Sequence, residues 1–138
     1  MPLDGAYSHI MPYEITDEGR GVYIRHYGFT TPREIMELTT WEADNIRDTH
    51  GYIIADLLPV NSETVFSWTH SLLEAVADDE AVRLPKTYLD RPFKLAFACD
   101  NKLLEDVLQA FIESGSRPNH DIQIFPTLQR ARQWAEDG

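Results

Sequence analysis

Cysteine is nearly missing from this chain: Cys99 is the only one among 138 residues. No internal disulfide can form, so the fold must rest on its core. A chain of this length can bury roughly two-thirds of its unfolded surface, enough for one domain without covalent staples. Long apolar runs are also missing. None approaches the ~18 residues of a membrane helix, so membrane insertion is not expected. The first residues, MPLDGAYSHIMPYEIT, have neither a basic region nor an apolar stretch, unlike a secretory signal. Together with the lone cysteine, this leads to the expectation of a cytoplasmic protein. Cations are scarce. Twelve Lys and Arg stand against 23 Asp and Glu, giving a formal net charge of −11. Such a molecule repels phosphate backbones, and nucleic-acid binding is not expected. The sequence holds no Cys-x-x-Cys, no His-x-x-x-His and no Gly-rich phosphate loop, since Gly19 and Gly21 belong to a hairpin. Neither a metal nor a cofactor is expected.

What is present is a globular composition with strong periodicity. Residues 1–11 read as an extended arm, with Pro2, Gly5 and Pro12 as punctuation. YEIT, DEGRG and VYIRHYGF then read as strand, turn and strand. Thr31, Pro32 and Glu34 have the spacing of a helix start, and that helix is expected to reach about Thr49 with Ile35, Leu38 and Ile46 on one face. YIIADLL and FKLAFAC are apolar on both faces, as strands of a parallel sheet are. Helical spacing runs from Glu63 to Ala77 and again through Leu104, Val107, Leu108 and Phe111, with Gly115 placed to end the second helix. The polar segment 78–91, which holds Pro85, reads as a loop or a frayed helix end. HDIQIF is a last strand, and a short helix follows that turns Leu128, Ala131 and Trp134 inward. The expectation is one α/β domain over 1–138, in the order β-β-α-β-α-β-α-β-α. It has a mixed, mostly parallel sheet, an N-terminal hairpin and about four helices.

Candidate site residues cluster where strands end, because ligands of open α/β sheets bind beyond the carboxyl ends of the strands. Asp56 closes one strand, and Asn61, Ser62 and Glu63 follow it. Cys99, Asp100 and Asn101 close the next. The loop Pro59–Thr64 and the Cys99–Asn101 turn would form a binding edge. The plainer role of Asn61 or Ser62, and of Asp100 or Asn101, is to cap a helix. Cys99 after LAFA is more often a small buried apolar residue than a nucleophile. A hydrolase or transferase built on Asp56, Cys99 and His26 or His50 is the alternative, although none of the five histidines is obviously placed as a base. Arg83, Lys86, Arg91 and Lys94 form the one locally basic stretch and are candidate anion binders, the plainer reading being a solvated loop. Tyr23, Tyr27 and Phe29 share a strand face, with Trp41 and Trp68 on helices. An open aromatic face would suit a pocket wall or a homodimer interface, while core packing is the commoner use of such residues.

The ensemble of GFTTPREI, YIIADL and FPTLQRARQWA, in this order and at these spacings, resembles the STAS-like domains from about Tyr13 to Trp134. These are relatives of the bacterial anti-sigma-factor antagonists of sporulation. The resemblance implies a non-catalytic regulatory module that binds a partner protein or a small apolar or anionic ligand. It also implies a phosphoacceptor at the start of the helix after the central strand, for which Ser62 is the nearest match. Here the sequence departs from the family: Asn61 stands where an Asp is usual, and no Gly follows nearby.

Overall fold

The computed structural model describes residues 13–26, 32–60 and 69–137. Strand β1 (Tyr13–Asp17) turns back into β2 (Gly21–His26), pairing antiparallel with Tyr13 opposite His26. The turn is fastened by the Asp17 carboxylate, whose Oδ1 accepts from the Gly19 N–H at 2.8 Å. Strands β3 (Tyr52–Asp56), β4 (Phe93–Ala98) and β5 (His120–Phe125) add on in parallel. The result is a five-stranded mixed sheet in the order β1-β2-β3-β4-β5. β3 is buried along its whole length, its closing Asp56 included.

The crossovers are helices α1 (Pro32–Asn45), α2 (His70–Arg83), the single turn α3 (Lys86–Leu89) and α4 (Lys102–Glu113). Because β2 to β5 are laid down in sequential order and parallel crossovers are right-handed, the long crossover helices share one face. There Val22, Ile24, Ile53, Leu57, Leu95, Cys99, Leu104, Leu108 and Phe111 make the main core. The last helix, α5 (Leu128–Glu136), packs on the opposite face. Its Ala131 and Ala135 lie against Tyr52, Ile54, Ala96 and Ala98, with Leu128 and Trp134 half-buried beside them. The small side chains on both surfaces let the helix sit close to the sheet.

Two boundaries differ from expectation. α1 ends at Asn45, whose Nδ2 donates to the Trp41 carbonyl at 2.8 Å, rather than near Thr49. α2 runs on to Arg83, through part of a segment expected to be a loop or a frayed helix end, and α3 follows it. Asp78 and Asp79 made that segment look solvated, but they lie on the outer side of a stripe that continues inward through Val76, Glu80 and Leu84. Thr69 caps α2 by accepting from Leu72 N–H at 3.1 Å. The helix start expected at Glu63 lies outside the described residues.

Candidate functional site

Between the sheet and helices α1, α2 and α4 lies a cavity of about 100 Å³. Its walls are apolar: Ile24, Ile53 and Leu95 come from the strands, and Leu38, Leu73 and Leu108 from the helices. Ala55 of β3 is the smallest side chain among them, and the room exists partly because nothing larger stands there. In a parallel α/β layer the crossover helices run opposite to the strands. The C-terminal parts of α1 and α2 therefore lie at the N-terminal edge of the sheet, and it is there that the cavity has its polar end.

That end is built from Glu42, Glu80 and Arg117, all buried. Glu42 occupies an inward position of α1, one turn after Leu38, and Glu80 an inward position of α2. Arg117 comes from the turn between α4 and β5. Its Nε donates to Glu80 Oε1 at 3.0 Å, and its Nη2 reaches Glu42 Oε2 and Glu80 Oε2, each at 2.9 Å. Its Nη1 donates to the Tyr88 hydroxyl at 3.1 Å, and that hydroxyl donates to Glu42. One guanidinium thus joins α1, α2, α3 and the turn before β5. Burial lifts the Glu80 carboxyl above its ordinary range against the pull of Arg117, with Glu42 adding to the rise. Burial alone would lower Arg117, but the two glutamates overrule it and hold the guanidinium charged. Burial also pushes Tyr88 up, so it stays a neutral donor.

His26 lines the cavity from the other end of the sheet, at the close of β2. Burial drives its pKa down to about 4, so it is neutral at pH 7.

The residues expected to form a site at the strand ends do not gather. Asp56 and Cys99 face opposite sides of the sheet. Asp56 stands opposite Ala98 in the register, so Cys99, one residue on, points the other way. The Asp56 carboxylate lies on the α5 side, where it accepts from the Tyr23 hydroxyl at 2.6 Å and from the Leu58 N–H at 3.1 Å. Cys99 is buried in the main core, its thiol pKa is raised by that burial, and its Sγ–H points to the Asn101 carbonyl. His26 shares that face with Cys99, but continuing the register places Leu57 between them. His50 lies at the far edge of the sheet. Its Nδ1 accepts from Arg47 N–H at 2.9 Å, which leaves Nε2 to donate to Asp17 at 3.0 Å. Asn101 caps α4, accepting from Leu104 N–H at 3.1 Å, while its neighbour Asp100 is exposed and is not the cap. Asn61, Ser62 and Glu63 lie outside the described residues, as do Tyr27, Phe29 and Trp68.

The four basic residues are dispersed, not pooled. Arg83 binds Asp79 and the Met36 carbonyl, tying α2 to α1. Among the described residues Lys86 reaches only Asp90, at 3.8 Å in solvent. Arg91 donates to the carbonyls of His50 and Arg47, and Lys94 to those of Trp134 and Asp137 at the end of α5. Tyr23 is roofed by Arg132, whose guanidinium sits 4.9 Å from the ring centre. Among the described residues, no three of His, Cys, Asp and Glu are grouped so as to hold a metal ion, and no helix is long and apolar enough to cross a membrane.

The buried Glu–Arg–Glu cluster was not anticipated from the sequence. The signal for it was an acid on an otherwise apolar stripe: Glu42 after Leu38, and Glu80 after Val76. Set beside known proteins, the sequence matches no protein-family model and no curated relative.

Proposed function

We propose that this chain is a non-catalytic binding module of STAS-like type, working in the cytoplasm, that holds a small apolar ligand between its sheet and helices α1, α2 and α4. The cavity carries this reading. A space of about 100 Å³ walled mostly by Ile, Leu and Val suits a small apolar molecule. The order of strands and helices supports the STAS-like assignment. The opposed directions of Asp56 and Cys99 count against the rival, a thiol hydrolase or transferase. So does the raised thiol pKa, because the thiolate is the reactive form.

The test compares native and denatured masses of the protein purified from its own cells, for the wild type and for Ala55→Leu. Leucine at position 55 would fill the space. The expected result is extra mass in the native wild type that vanishes on denaturation and is missing from Ala55→Leu. Extra mass held equally by both proteins would place the ligand elsewhere and overturn the proposal.

A further inference from the structure

The polar end of the cavity is not neutral, and its charge narrows the class of ligand. This inference rests on the cavity reading above. Glu42 and Glu80 supply two carboxylates, and Arg117 one cation, at one buried spot. With both acids ionised, one negative charge is left over among buried side chains, which is a costly state. The hydrogen bonding is lopsided in the same sense. All three guanidinium nitrogens of Arg117 and the Tyr88 hydroxyl already donate to acceptors within the cluster. Each carboxylate can accept about four hydrogen bonds, and the donors to Glu80 are Arg117 Nε and Nη2. The spot has acceptors to spare and few donors.

Among the described residues, nothing lining the cavity supplies the missing cation. The remaining polar lining residues are His26 and Thr39, and the histidine is neutral. The other charges that bear on Glu80 are Glu42 and Asp79, both of like sign.

We propose that the ligand is a small aliphatic amine, its ammonium against Glu42 and Glu80 and its carbon chain in the apolar part of the cavity. A carboxylate in that position would meet like charge. An alcohol would satisfy an acceptor but leave the charge uncompensated. The space equals the share of about three waters at ~30 Å³ each, which suits a chain of a few carbons. The raised Glu80 pKa fits this assignment.

The experiment is isothermal titration calorimetry of the full chain at pH 7 with n-butylamine, 1-butanol and butyrate. Butylamine is expected to bind at least about tenfold tighter than butanol, a modest return for a buried charge pair, and butyrate to give no binding. Glu80→Gln should reduce the amine-to-alcohol ratio by about tenfold, and Ala55→Leu should abolish amine binding. Butanol or butyrate binding as tightly as the amine would overturn the amine assignment and leave the cavity reading standing. Amine binding that survives in Ala55→Leu would place it on the acidic surface and also overturn the inference. No binding of any of the three would overturn both.

Discussion

Arg117 is the residue on which the interior charge turns. Its removal leaves two buried carboxylates without their cation, and Arg117→Ala should cost about 3–5 kcal/mol in urea unfolding. Two buried titratable groups give opposite pH signatures. The folded value of Glu80 lies above the ordinary 4.5, so the folded chain holds a proton that the unfolded chain releases. Stability from this group is intact below pH 4.5 and is lost as pH climbs through the folded value. The stability of Glu80→Gln relative to wild type should therefore rise with pH above 4.5. His26 behaves in the reverse sense, because its folded value of about 4 lies below the ordinary 6.5. Its contribution is full above pH 6.5 and is lost as pH falls towards 4, a change of about 3 kcal/mol. Unfolding curves of wild type and His26→Gln at pH 7 and pH 4 measure it. A wild-type stability, relative to the variant, that stayed level between those two pH values would contradict the burial of a neutral His26.

At the scale of elements, caps were easier to read than helix lengths. The pair Asp100 and Asn101, placed just before an apolar stripe, marked the start of α4, because a cap needs only a side-chain oxygen at a fixed offset. The end of α2 was harder, since a run of acids reads as solvent-facing loop unless the stripe is followed beyond it to Leu84. The choice between Asp100 and Asn101 was not legible either, because both residue types cap equally well and only the backbone decides. Asn101→Ala should destabilise the protein by about 1 kcal/mol in thermal or chemical melts. Asp100→Ala should stay within about 0.5 kcal/mol, as an exposed residue without a structural bond does. Gly115 reads correctly from sequence, since its φ of +70° just after α4 is one that glycine adopts without strain.

At the scale of the molecule, the mixed sheet and its hairpin were legible because β3 and β4 are apolar on both faces and β1–β2 carry a glycine turn. The placement of α5 on the second face was not, because nothing local to its sequence says which side of the sheet it crosses to. The cavity was illegible for the same kind of reason. It arises where Ala55 faces the long side chains of three helices, a meeting that depends on register and packing. Filling it should be tolerated: Ala55→Leu is expected to keep or raise the unfolding midpoint, where a tightly packed site would lose about 1–3 kcal/mol from the added bulk. That this space admits a guest is open to methyl NMR under xenon pressure. Saturable shifts are expected at methyls of Ile24, Leu38, Ile53, Leu73, Val76 and Leu95, which line the cavity, and none at Ile54 or Leu128 under α5. Shifts that fail to saturate, or that fall equally on both sides of the sheet, would contradict it.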